Sequence, residues 1–339
     1  MNKANVLLIG TGGVGTIVAC GLVYNKKASV SVVVRSDYKK VKEHGWEIQS
    51  CDYGHLPAWK PDHIFPTVDA AAEVGVVYDY VVMTTKNLPD VVKPEDVAAP
   101  AITVGKTTVV LIQNGFDLGR PFIAKYPQNF CLSGVSHIGS HNHGGVISQT
   151  QHDKCLVSYF ENPNLGKEEQ EAKAKEFIDL YSNDKNSVSY FPDVKWYRYR
   201  KLVYNATLNT ACALTRVDTG RLALSGTLEA VSIPAMHEVI KVAKADGVEL
   251  PEDVINTVVH SDDGDWFKPS MLVDVEKGNP IELEVILGNL LVVARELKVE
   301  TPTLDLLYHL LKATQFKLKE GKGLIDVPKE RSISSKFYS

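Results

Sequence analysis

Val6-Leu7-Leu8-Ile9-Gly10-Thr11-Gly12-Gly13-Val14-Gly15 decides how this chain is read. A short continuous apolar run ends in glycine, the pattern of a strand buried on both faces of a parallel sheet. Residues 14–25 are small and apolar with helical spacing, and 29–34 form a second β-branched run. A β-α-β unit of about 30 residues therefore opens the chain. Glycines also mark plain turns, so the three spaced glycines say little alone. Between a strand and a helix, with a second strand ending about 20 residues on, they predict a dinucleotide loop. Gly10 permits the tight turn, Gly12 lets the backbone approach a pyrophosphate, and Gly15 lets the helix pack closely on the strand. Thr11, Gly13 and Val14 complete the loop. The helix start offers unpaired N–H groups and partial positive charge to phosphates.

The end of the second strand bears on which dinucleotide. An NAD site usually places a carboxylate there, on the ribose 2′-hydroxyl. This chain has Val34-Arg35-Ser36-Asp37. Arg35 can grip a 2′-phosphate through two N–H groups and Ser36 can add a hydroxyl, which favours NADPH. Two other readings stand beside this one: Arg35 as a solvated surface arginine, and Asp37 as a cap of the following helix or as an NAD ligand.

Further apolar runs at 78–83 and 107–112 are each followed by turn residues and a helical stretch. Alternation of strand and helix predicts an α/β doubly wound sheet. Segments near 131–138, 145–149 and 155–160 are expected strands, 168–182 a charged helix, and 187–191 one more strand. From Asp193 the periodicity is helical, with helices expected over 194–215, 225–247, 251–260, 277–298 and 302–319. The chain thus divides into 1–190 and 191–339. The polar tail 331–339 is expected to be mobile.

At 339 residues the chain suits two domains, and its 44% hydrophobic and 23% charged residues are those of an ordinary globular protein. A formal net charge of −4 argues against nucleic acid as the main partner. No apolar stretch reaches bilayer length, and the N-terminus runs straight into a strand without a secretory core. Five scattered cysteines, Cys20, Cys51, Cys131, Cys155 and Cys212, read as reduced and mostly buried thiols. A cytoplasmic protein, monomer or homodimer, is expected. His137, His141 and His143 lie close in sequence, but their glycine-rich surroundings read as a turn between strands. No matching carboxylate or cysteine set is near them, so no metal is expected.

Several segments then line up: Thr84-Thr85-Lys86, Gln113-Asn114-Gly115, Arg200-Lys201-Leu202-Val203-Tyr204-Asn205-Ala206-Thr207-Leu208-Asn209, Pro269-Ser270-Met271-Leu272-Val273-Asp274 and Ile281-Glu282-Leu283-Glu284. In this order they resemble the ketopantoate reductase (2-dehydropantoate 2-reductase) family, over most of the chain. The resemblance implies a Rossmann-type N-terminal domain, an all-helical C-terminal domain, and NADPH-dependent reduction of a 2-oxo acid to a 2-hydroxy acid. By it, Lys86 lies near the adenosine 2′-phosphate and Asn114 near the nicotinamide. Lys201 is the general acid, Asn205, Asn209 and Ser270 face the substrate, and Glu282 lies between substrate and cofactor.

The residues read alone agree in part. Reducing a ketone by hydride builds negative charge on its oxygen, so the site needs a cation or a proton donor there. Lys201, Asn205 and Asn209 recur at i, i+4 and i+8 and would share one helix face. A polar stripe in an otherwise apolar helix needs polar partners, which a cleft supplies, although a solvated face of an amphipathic helix has the same pattern. Lys86 and Asn114 follow strands at their carboxyl ends, where open α/β sheets bind ligands. As isolated residues they read as turn chemistry, Ser270 as a cap and Glu282 as a carboxylate at a helix start. Two positions depart from the family pattern of asparagines: Thr219 and Phe267. Phe267 offers apolar area and no hydrogen bond, which favours bulkier 2-oxo acids or esters. Two rival functions remain on the sequence: a non-catalytic NADPH-binding sensor or scaffold, and oxidation of a 2-hydroxy acid with NAD.

Overall fold

The opening apolar run forms strand β1 (Ala4–Ile9), its alternate residues buried on opposite faces of a sheet. The glycine loop leads into helix α1 (Gly13–Tyr24) and back to β2 (Ala28–Val33), which pairs in parallel with β1. The computed structural model describes residues 3–330; the tail 331–339 lies outside them.

After β2 come α2 (Tyr38–His44), β3 (Trp46–Ser50), β4 (Gly54–Trp59), β5 (His63–Phe65) and α3 (Val68–Ala72). Next are β6 (Tyr80–Met83), α4 (Pro94–Ala98), β7 (Thr108–Ile112), α5 (Arg120–Lys125) and β8 (Cys131–His137). A hairpin of β9 (Ser140–His143) and β10 (Val146–Gln149) precedes β11 (Lys154–Tyr159), α6 (Lys167–Tyr181) and β12 (Ser187–Tyr190). The main sheet has eight strands in the order β12-β11-β8-β7-β6-β1-β2-β5. The six from β8 to β5 run parallel, and β11 with β12 runs the other way. From β1 the chain steps outward to β2 and β5, then crosses back to β6. This reversal puts the glycine loop at the topological switch point, where doubly wound sheets bind ligands.

A second sheet, order β4-β3-β10-β9, was not expected from sequence. Its inner residues Trp46, Ile48 and Ile147 pack with Val6, Leu8, Val30 and Val32 on one face of the main sheet. No apolar alternation marks 54–59, where most residues are at least partly exposed. Its existence depends on β3 pairing with β10 about a hundred residues on.

Among the described residues all regular structure after Tyr190 is helical. The helices are α7 (Val194–Asn205), α8 (Leu208–Thr215), α9 (Thr219–Leu224), α10 (Ile233–Ala245), α11 (Val254–Val259), α12 (Ser270–Glu276), α13 (Asn289–Glu296) and α14 (Pro302–Gly321). Leu7, Ile9, Val81, Met83, Val109 and Leu111, on the other face of the sheet, share one core with Leu202, Val203, Leu208, Leu283 and Leu287 of this helical half. Three expected helices need correction. The run 194–215 breaks after Asn205, where Thr207 leaves the helical region (φ −123°, ψ −74°). The run 225–247 begins with a π-helical turn, Leu228–Ser232, before α10. In the run 277–298 the helix starts at Leu283, so Glu282 stands just before it rather than inside it. No described helix is long and apolar enough to cross a membrane.

Candidate active site

The glycine loop is shaped by what its residues lack. Gly10 has φ +110°, and any side chain there would strike the backbone of Thr85 beyond β6. A side chain at Gly15 would meet the Gly10 carbonyl, and one at Gly13 the backbone of Ser140 in β9. Gly12 differs, because a methyl group there meets open space. Gly12 is also the N-cap residue of α1, without a side-chain cap. The first-turn N–H groups therefore point at a free position, which suits a pyrophosphate. Thr11 packs inward, its hydroxyl toward the Val33 carbonyl at 3.4 Å, and its own carbonyl accepts from Asn142 of the hairpin, also at 3.4 Å. The loop is thus held by β2 on one side and by the second sheet on the other. Val14, the next residue of α1, is partly buried against that sheet's core.

Arg35 and Ser36 are exposed just past β2. Asp37 occupies the N-cap position of α2, but its side chain makes no capping bond.

Lys86 lies two strands from Arg35, past the end of β6, and its ammonium pairs with Asp274 of α12. Lys86 thereby ties the sheet to the helical half. The Asn87 N–H donates to Glu282 Oε1 at 2.9 Å, while Asn87 Nδ2 donates to Gln113 Oε1 at 3.2 Å. Gln113 Nε2 in turn holds the Thr85 carbonyl at 2.7 Å. The carboxyl ends of β6 and β7 are thereby joined to each other and to Glu282.

Lys201 comes from α7 and reaches this edge. Its Nζ donates to Asn114 Oδ1 at 2.8 Å and to the Ser136 carbonyl at 3.2 Å. Asn114, Lys201 and Asn205 border a cavity of about 10 Å³, the space of a single water. The Ser136 and Ser140 hydroxyls beside this edge are buried without a partner. Polar groups of that kind are costly unless something binds them. Together with the open position at Gly12 they fit a dinucleotide lying along the edge from the loop to Lys201.

Burial lowers the Lys201 ammonium to about 8, and the nearby Arg198 charge pushes the same way against Glu282. Burial raises Glu282 to about 7, opposed by the Asn87 N–H, Lys86 and Lys201. Two groups near neutrality within one cleft are the usual equipment of proton transfer at physiological pH.

Asn209 does not continue the Lys201–Asn205 stripe, because the helix breaks between them. It is buried, accepts the Met271 N–H at 2.8 Å and donates to Ser270 Oγ at 3.3 Å. Asn209 and Ser270 are therefore brought together at the start of α12. Thr219 donates through both N–H (3.0 Å) and hydroxyl (3.3 Å) to the Phe267 carbonyl, and Phe267 is 43% exposed. His137 stacks edge-on against Tyr197, and burial with the Lys201 charge holds it down at about 4. Among the described residues no group of three metal-binding side chains is found.

Residues 6–162 match the family model described as ketopantoate reductase PanE/ApbA, and 193–315 match the model of its C-terminal part. A crystal structure of 2-dehydropantoate 2-reductase from Methylococcus capsulatus superposes with a TM-score of 0.76 at 30% identity, over 93% of this chain and 97% of that one. The chain belongs to the ketopantoate reductase family. An uncharacterized protein of Saccharomyces cerevisiae is 39% identical over 349 residues, spanning 95% of this chain and 96% of its own. D-mandelate dehydrogenase, solved with NADH and anilino(oxo)acetate, shares the fold at a TM-score of 0.77 and 21% identity, over 93% of this chain and 99% of that one.

Sequence reasoning missed Arg198, Asn87, Gln113 and Ser136 as parts of this candidate site. Gln113 and Asp274 stood inside the quoted motifs without a role. Arg198 carried a faint signal, one helical turn before Lys201 in an aromatic and basic run.

Proposed function

We propose that this protein is an NADPH-dependent oxidoreductase that reduces the carbonyl of a 2-oxo acid to a 2-hydroxy acid, with Lys201 as general acid. The observation that carries this is Lys201, its charge destabilised by burial, bonded to Asn114 at the strand ends that also hold the glycine loop. The described residues up to 190 form the cofactor-binding unit, and those from 191 on the helical unit that brings Lys201 and Glu282 to it. Gly12 and the first turn of α1 take the pyrophosphate, and Arg35 with Ser36 takes the 2′-phosphate. A bound reduced nicotinamide supplies the hydride.

Lys201 supplies positive charge to the developing alkoxide and then its proton. Asn114 orients the Lys201 ammonium. Glu282, fixed by the Asn87 N–H, faces the same charge and returns a proton to Lys201 between turnovers. Asn205 borders the Lys201 cavity and binds the substrate, with Asn209 and Ser270 at the start of α12. The exposed Phe267, and a Thr219 hydroxyl already engaged by the Phe267 carbonyl, favour substrates with a bulky apolar group over a small hydroxylated one.

The test is an NADPH- and NADH-oxidation screen over a panel of 2-oxo acids and esters that includes ketopantoate, with Lys201→Ala in parallel. Turnover with NADPH on part of the panel, lost in Lys201→Ala while NADPH still binds, is expected. Undiminished turnover in that variant removes the general acid. A strong preference for ketopantoate over an aryl 2-oxo ester overturns the role given to Phe267.

A further inference from the structure

Arg198 is 4% exposed and pairs with no carboxylate among the described residues. Its guanidinium spends its N–H groups on neutral acceptors. Nε and Nη2 donate to Ser133 Oγ of β8 at 2.9 and 2.8 Å, and Nη1 donates to the carbonyls of Gly115 at 2.6 Å and Gln113 at 3.2 Å. The Phe160 ring lies 5.1 Å from its Cζ. A buried charge paired only with dipoles is an expensive way to pack a helix on a sheet, and an apolar side chain of similar volume would do that with less desolvation. Burial brings Arg198 down to about 10, so it keeps its charge at neutral pH.

Its place explains the expense. Gln113 and Gly115 flank Asn114, the acceptor for Lys201, and Arg198 stands one helical turn before Lys201 on the same helix. The far side of the same loop is tied to the segment after Glu282, where the Phe116 N–H donates to the Val285 carbonyl at 2.8 Å. We propose that Arg198 is a positioning residue for Lys201: it locks the Asn114 loop and α7 into one geometry and keeps a positive charge beside the Lys201 ammonium.

The proposal rests on Lys201 being the general acid. The charged or titratable groups acting on Lys201 are Arg198 on its own helix, Glu282 before α13 and Cys155 on β11, with His137 of β8 also within range. Only Arg198 pushes the ammonium toward deprotonation from the same helix.

The experiment compares wild type with Arg198→Met, Arg198→Lys and Lys201→Ala, each checked by thermal melting. It follows kcat against pH, and the Lys201 ammonium by ¹⁵N NMR of lysine-labelled protein. In Arg198→Met the Lys201 titration and the alkaline limb of kcat should move up by about one pH unit. The value of kcat should fall at least about tenfold, because a small misplacement of a catalytic group is costly. Arg198→Lys should keep the limb and still lose kcat. Lys201 titrating in Arg198→Met as in wild type overturns the electrostatic part, and full kcat in Arg198→Lys overturns the positional part. The NMR titration decides the effect of Arg198 on Lys201 even if Lys201→Ala stays active, an outcome that would remove the general acid alone. If Arg198→Met does not fold, Ser133→Ala replaces it: a several-fold fall in kcat with the limb unmoved is expected, and unchanged kcat there and in Arg198→Lys removes the proposal.

Discussion

The glycine loop and the Lys201 cluster sit on the same edge of the sheet, yet they are built in opposite ways. The loop works through missing side chains: Gly10, Gly13 and Gly15 are hemmed in by backbone, and Gly12 faces open space. The cluster works through the side chains of Lys201, Asn114 and Glu282 with the Asn87 N–H, spread over nearly two hundred residues and joined by hydrogen bonds. The loop's glycine pattern lies in ten consecutive residues, around which Thr85 and Ser140 close. The cluster exists only once the helical half has docked on the sheet, so its precision depends on the shared core beneath it. Under the proposed function, binding falls to a local device and chemistry to an assembled one.

The comparison can be broken most forcefully at Lys201. Lys201→Ala should lower kcat by about 10²–10⁴-fold, the range for general acids, while NADPH affinity by fluorescence titration changes little. An equal loss of affinity would mean the two regions are not separable. Next in size, Arg35→Ala should weaken NADPH about 10- to 100-fold, the worth of a charge-assisted double bond, and leave NADH unchanged. Equal weakening of both would return Arg35 to an ordinary surface arginine.

Within the loop, Gly13→Ala should lower stability by about 1–3 kcal/mol because β9 must give way. Gly12→Ala should leave the melting temperature alone and weaken dinucleotide binding. The reverse order of effects in thermal melts, with and without NADPH, would refute the division of labour between these two glycines.

The smallest effect concerns the assembled site and pH. The Glu282 pKa is raised in the fold, from 4.5 to about 7. Its stabilising contribution is therefore full below about pH 4.5 and lost as pH rises through about 7. The Lys201 pKa is lowered, from 10.5 to about 8, so its contribution is present above about pH 10.5 and lost as pH falls through about 8. Urea midpoints at pH 5 and pH 7.5 should fall more in wild type than in Glu282→Gln. Parallel falls would show that Glu282 titrates as if exposed.

Much of the molecule was legible before its structure. The run Val6–Ile9 and the glycines carry their meaning locally, since turn sterics and strand burial act over a few residues. Motif order, which included Lys201 and Glu282, made the family legible. The second sheet was not, because 54–59 lacks alternation and β3 finds its partner β10 only in three dimensions. The break at Ala206–Thr207 was missed because no glycine or proline marks it. Thr207 Oγ1 instead turns back to the Val203 carbonyl at 2.5 Å, a local bond that competes with the helix ladder. Arg198 was missed because an arginine in a helical run with other basic residues looks solvated until the sheet is packed against it.

By itself, then, the amino-acid order determined the doubly wound half, the glycine loop, the helical second half and the family, because each follows from short-range periodicity, steric allowance or motif order. Tertiary structure alone decided that Lys86 faces Asp274, that Asn209 serves the start of α12, and that Lys201 meets Asn114 under the charge of Arg198. Burial and the charges brought close by folding set those relations, and neither is a property of neighbouring residues in the chain.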